Sequence, residues 1–247
     1  MKWRPINCSA LLMAITVSTA INAQGTSPSP GAGNLVDGRA ARPWYVPEIE
    51  AFLTSDRVNP PPLCSILFTG SSSVRLWDSL ADDMAPAQVI NRGFGGSTIA
   101  DVDENFDRIV APYLPKAIFF YAGENDLSSG KPAAQVFADF QRFMALKSQT
   151  LGDTPVYFIS LKPSKLRFDQ MARQSEVNAL VKHLSRQRRD LHFINVVAAM
   201  LDKGKLRNIY REDGLHMTRE GYRIWTRLIR PAVLAESSRR ALRCPKQ

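Results

Sequence analysis

The chain has 247 residues, 45% hydrophobic and 22% charged, an ordinary globular balance that excludes a fibrous or wholly disordered chain. The net charge of +9 favours anionic surfaces. No aromatic-and-basic recognition motif accompanies it, so no nucleic-acid partner is expected.

Lys2 and Arg4 precede a mostly apolar stretch over 10–20 that is too short to cross a bilayer, and Ile21-Asn22-Ala23 follows with a small residue at the end. This pattern predicts an export signal over residues 1–23. The mature chain then begins at Gln24, has no stable membrane span and resides in the periplasm or outside the cell. Residues 24–42 are rich in Gly, Pro, Ser and Ala, which predicts a flexible leader before a single domain over 43–247. Trp44 to Leu53 predicts a short helix, and Asn59-Pro60-Pro61-Pro62 must be extended.

From there the pattern is regular. Short apolar runs rich in Val, Ile and Phe fall at 65–69, 87–91, 117–122, 155–161 and 191–197, and read as strands buried on both faces. Amphipathic stretches at 133–150 and 168–188 read as helices, as does a last segment with Tyr222, Trp225, Leu228 and Ile229 at helical spacing. Alternating strand and helix predicts an α/β fold with a parallel sheet covered on both faces.

Ligands bind such sheets at the carboxyl ends of the strands. Four loops lie there: Gly70-Ser71-Ser72-Ser73 after the first run, 91–98 after the second, Gly123-Glu124-Asn125-Asp126 after the third, and Asp213-Gly214-Leu215-His216 before the last helix. A nucleophilic serine needs a base, an orienter for the base, and donors for an oxyanion. Of three histidines, His192 lies at the wrong end of the sheet, His183 sits on a helix among Lys182 and Arg186, and His216 stands at the right end. Asp213, three residues earlier, can fix the His216 tautomer. Gly95 or Gly96 can bring backbone N–H groups to a ligand, and Asn125 can add an amide. By chemistry alone Ser71, Ser72 and Ser73 are rivals. Lys162, Ser164 and Arg167 follow the fourth run and are expected at the site mouth, facing an anionic or polar part of the substrate. No cluster has metal-ligand spacing, so neither metal nor other cofactor is expected. Cys8 leaves with the signal. Cys64, at the foot of the first strand, and Cys244, after a last helix that runs back down, are expected to form a disulfide.

Together "FTGSSS", "GFGGST", "GEND" and "DGLH" resemble, in order, the four sequence blocks of the SGNH hydrolases, also called GDSL-type esterases and lipases. The resemblance runs from about Ile66 to Trp225. It aligns Ser72 with the family nucleophile, Gly96 (with Gly95 as rival) and Asn125 with its oxyanion donors, and Asp213 and His216 with the rest of the triad. The Ser72 N–H is the third oxyanion donor. The family's aspartate before the nucleophile is Ser71 here. The resemblance implies a three-layer α/β/α sandwich with a five-stranded, flavodoxin-like parallel sheet. It also implies an esterase or acylhydrolase acting on a small-molecule, glycan or lipid ester. The alternatives carried with it are acyl transfer to a polysaccharide by the same triad and a non-enzymatic protein that binds anionic glycans.

Overall fold

The computed structural model describes residues 35–36, 39–40 and 43–239, all within one compact unit, Gly33–Gln247. The expected signal and most of the leader lie outside the described residues. Within the leader, Leu35–Val36 and Arg39–Ala40 pair antiparallel, an element that the Gly- and Pro-rich composition did not announce.

Five parallel strands form the central sheet: β1 (Ile66–Gly70), β2 (Val89–Gly93), β3 (Ala117–Tyr121), β4 (Val156–Ile159) and β5 (Leu191–Ile194), in the order β2-β1-β3-β4-β5. This is the flavodoxin-like order, with its switch point between β1 and β3, where the loops diverge and leave a crevice. Successive residues alternate between the two faces. Leu67, Phe120 and Phe158 enter the core under helices α1 (Val46–Val58), α4 (Ile99–Glu104), α7 (Ala133–Leu151) and α8 (Met171–Ser185). Phe68, Phe119 and Ile159 enter the opposite core with Trp77 and helix α9 (Arg219–Ser238). The short helices α3 (Leu80–Met84), α5 (Phe106–Ile109) and α6 (Glu124–Ser128) lie in the connections between strands. The second core holds a ladder of rings across three strands: Phe119 stacks on Phe68 at 4.8 Å and on Tyr157 at 4.7 Å.

Helical periodicity places α7 and α9. In α7, Val136, Phe140, Phe143, Met144 and Leu151 are buried, a stripe of spacing four and three. In α9, Tyr222, Trp225, Ile229 and Val233 do the same, while Leu228, expected on that face, is 37% exposed. Strand β2 begins two residues later than its apolar run, because its pairing with β1 starts at Val89 opposite Ile66 and continues to Gly93 opposite Gly70. Asn91 and Arg92, expected in the loop, are therefore in the strand. Arg92 ties α1 down: it donates to Asp56 at 2.5 Å and to the Tyr113 hydroxyl at 2.7 Å, and lies over the Phe52 ring. Cys64 is disulfide-bonded. Cys244, its expected partner, lies outside the described residues. No helix among the described residues is long and apolar enough to cross a membrane.

Candidate active site

Strand β1 ends at Gly70, which has φ +124°. A Cβ there would lie 2.0 Å from the Tyr121 main-chain oxygen. Only glycine lets the chain turn off the sheet so close to β3. The next residue, Ser71, donates its N–H to that same oxygen at 2.8 Å and stands, in an extended conformation, just before the short helix α2 (Ser72–Arg75). Ser71 and Ser73 are 3% and 2% exposed, whereas Ser72 is only partly buried. Exposure therefore separates the three serines, and Ser72 alone opens to the cleft. Ser73 lies inside α2, and the N-cap serine makes no side-chain cap bond.

The candidate base, His216, comes from the segment just before α9. His216 Nε2 lies 2.9 Å from Ser72 Oγ, and His216 Nδ1 lies 2.6 Å from Asp213 Oδ2. Asp213 Oδ1 accepts the backbone N–H groups of Leu215 at 2.8 Å and His216 at 2.9 Å, so the turn fixes both side chains at once. Burial pushes the Asp213 carboxyl up. The His216 ring and the two backbone N–H groups outweigh it and hold the carboxyl down at about 2. The other two histidines sit apart from this group: His192 stacks on Tyr157, and His183 pairs with Gln187 on the α8 surface.

The glycine loop after β2 distinguishes its two candidates. Gly95 is buried and donates its N–H to Glu48 Oε2 at 3.2 Å. Gly96 is exposed, has φ +60°, and its N–H has no hydrogen-bond partner among the described residues. Its Cα faces the Trp44 ring, which a Cβ would meet at 2.9 Å. Gly96, rather than Gly95, thus has a donor to offer. The loop is propped by Glu48 and by Tyr45, whose ring meets Phe94 at 5.3 Å; both come from the first turn of α1 or just before it.

In the third loop Asn125 and Asp126 diverge. Asp126 is fully buried, and its carboxylate accepts the Ile99 N–H at 3.1 Å and the Lys131 ammonium at 2.9 Å. It therefore joins this loop to α4. Asn125 Nδ2 donates to the Ser97 main-chain oxygen at 2.9 Å, and Asn125 Oδ1 accepts from Arg167 at 2.8 Å. The loop after β4 departs from expectation. Lys162 and Ser164 were expected at the mouth, yet both are fully buried. Lys162 Nζ lies 3.3 Å from Glu124 and donates to the Leu215 main-chain oxygen at 3.0 Å. One ammonium thus ties the residue before Asn125 to the residue before His216. Burial pulls the Lys162 ammonium below the ordinary lysine value, against the opposing pull of Glu124. Of the three, only Arg167 stays partly exposed beside the cleft.

Glu48 and the buried tie made by Lys162 and Glu124 were not legible in the sequence. Nothing in a single chain signals that a lysine after a strand turns inward. The acidic Glu124 in "GEND", facing a sheet end with no metal motif, is the one hint that a buried cation was needed.

The fold has known counterparts. A GDSL-like lipase from Bacteroides thetaiotaomicron superposes with a TM-score of 0.65 at 22% identity, over 76% of this chain and 97% of that one. A lipase/acylhydrolase from Enterococcus faecalis gives 0.58 at 20% identity, over 70% and 96%. A carbohydrate esterase family 3 structure from Talaromyces cellulolyticus gives 0.60 at 14% identity, over 72% and 100%. At these identities the likeness shows the fold. No curated protein matches the chain. The GDSL-like Lipase/Acylhydrolase family matches over residues 63–224, which span all four loops that meet at the cleft. The chain therefore belongs to the GDSL-like Lipase/Acylhydrolase family.

Proposed function

We propose that the protein is a serine esterase that cleaves carboxylic esters through an acyl-enzyme, with Ser72 as nucleophile, His216 as general base and acid, and Asp213 as its orienter. The observation that carries this reading is the unbroken chain of contacts from Ser72 through His216 to Asp213, at 2.9 and 2.6 Å. Ser72 Oγ attacks the ester carbonyl while His216 Nε2 takes its proton. His216 then returns the proton to the leaving alcohol, and a water activated in the same way releases the acid. The N–H groups of Ser72 and Gly96 and the Asn125 amide receive the negative oxygen of the tetrahedral intermediate. Water, which reaches the partly exposed His216 and Asp213 side chains, is the final acceptor in this reading. A protein that only bound anionic glycans would have no use for a serine hydroxyl on an oriented imidazole. The basic N-terminus and short apolar stretch support export as the setting of this activity.

Purified protein should hydrolyse p-nitrophenyl acetate, and a serine-reactive phosphonate should stop it. Failure to turn over any neutral short-chain ester would remove the reading.

The Asp213 carboxyl gives a pH expectation. Its folded value, about 2, lies below the ordinary carboxyl value of 3.8. Its link to His216 is therefore complete above pH 3.8 and is lost only as pH falls through 2. An acid limb in kcat above pH 4 then belongs to another group. Asp213→Asn should lower kcat by about 10³–10⁴ through the wrong imidazole tautomer, which a pH–rate profile of wild type and variant checks directly.

A further inference from the structure

We propose that Arg167 is the positioning residue of the oxyanion hole: its guanidinium holds the Asn125 side chain in the one orientation that presents an N–H to the reacting ester. The proposal rests on the esterase reading above.

An asparagine side chain has a donor end and an acceptor end of nearly the same shape, and half a turn exchanges them. With the carbonyl toward the oxyanion, the group would repel the charge it should hold. The amide therefore serves only if its flip is fixed. Two one-way contacts fix it here. The Ser97 main-chain oxygen can only accept, and it takes Asn125 Nδ2 at 2.9 Å. The Arg167 guanidinium can only donate, and it reaches Asn125 Oδ1 at 2.8 Å. Flipping the amide would set oxygen against oxygen and nitrogen against cation. Both bonds would be lost and two repulsions gained. Ser97 uses one of the two amide hydrogens, which leaves the second for the substrate. A cation at Oδ1 also polarises the amide and strengthens that remaining donor.

Arg167 is itself held in place. Its backbone N–H donates to the buried Ser164 hydroxyl at 3.3 Å. The neighbouring Leu166 N–H donates to the Gly214 oxygen of the histidine loop at 3.0 Å. The Tyr210 hydroxyl donates to the Pro163 oxygen at 2.6 Å. Among the described residues Arg167 makes no ion pair, so its charge is set against the Asn125 carboxamide and not against a carboxylate. The loop that follows β4 thereby fixes the amide on one side and the histidine turn on the other.

The test is a double-mutant cycle of Arg167→Met and Asn125→Ala on a neutral ester, p-nitrophenyl acetate, with Ser72→Ala as the control that isolates the esterase reading. If wild type and Ser72→Ala hydrolyse equally, the esterase reading has failed and not this proposal. With that control passed, Arg167→Met should lower kcat about 10- to 100-fold and leave KM unchanged. The rate of phosphonate labelling should fall by the same factor. Asn125→Ala should lower kcat about 10²–10³, and the double variant should be no slower than Asn125→Ala alone. Arg167→Lys, which keeps one donor, should recover part of the loss. Thermal unfolding of each variant checks that it is folded, and if Arg167→Met does not accumulate, Arg167→Lys and Arg167→Gln carry the cycle. Losses that multiply in the double variant, or a rise in KM confined to anionic esters, would overturn the proposal by showing that Arg167 acts without Asn125. Wild-type kcat in every Arg167 variant would overturn it as well.

Discussion

Ser72→Ala should abolish turnover, by a factor on the order of 10⁶, and leave thermal unfolding almost unchanged. Ser72 is only partly buried and, among the described residues, its hydroxyl hydrogen-bonds to His216 alone, so its removal strands no buried group. His216→Ala should cost nearly as much, and the two together no more than either alone, because proton and nucleophile act as a unit. The neighbouring serines give the contrast. Ser71→Ala and Ser73→Ala change buried residues whose hydroxyls are not the one paired with His216, so both should keep the activity within an order of magnitude. Steady-state kinetics with protein concentration fixed by absorbance separates these outcomes. A Ser73→Ala variant as inactive as Ser72→Ala would place the nucleophile wrongly.

Lys162→Met should strike the fold instead. The Lys162 side chain is fully buried and Glu124 is 4% exposed. Removing the cation leaves a carboxylate in a dry site, which typically costs about 3–5 kcal/mol. For a domain of this size that is a fall in Tm of roughly 10 °C. Activity should fall too, since the Leu215 oxygen loses the donor that steadies the turn carrying His216. Adding Glu124→Leu should recover most of the stability, because a packed apolar pair replaces a buried ionic one at little net cost. It should not recover the activity. Thermal melts of the two variants decide the matter. An unchanged Tm, with KM raised only for acidic esters, would return Lys162 to the substrate-binding role that its position after β4 suggested.

These two residues show what was legible in the sequence. The sheet was plain because strands buried on both faces carry unbroken apolar runs, and turn residues mark their ends. The candidate triad was plain because its members must stand at the strand ends and only three histidines exist. Which glycine offers its N–H was not, because that depends on Glu48 reaching Gly95 from a helix 47 residues away. The direction of Lys162 was not legible either. A lysine in a loop reads as solvated, and only the three-dimensional meeting of Glu124 and Leu215 turns it inward. Arg167 was legible as a residue near the cleft, but not as one aimed at an amide, since "GEND" and the loop after β4 lie 42 positions apart.

The most direct measurement of the central claim is the site of covalent capture. A serine-reactive phosphonate reports the hydroxyl that a base has activated, independent of which ester is the natural substrate. Peptide mapping of the inhibited protein should find one adduct, on Ser72, and its formation should be abolished in His216→Ala. An adduct on another serine, or full ester turnover in protein whose Ser72 cannot be labelled, would contradict the mechanism.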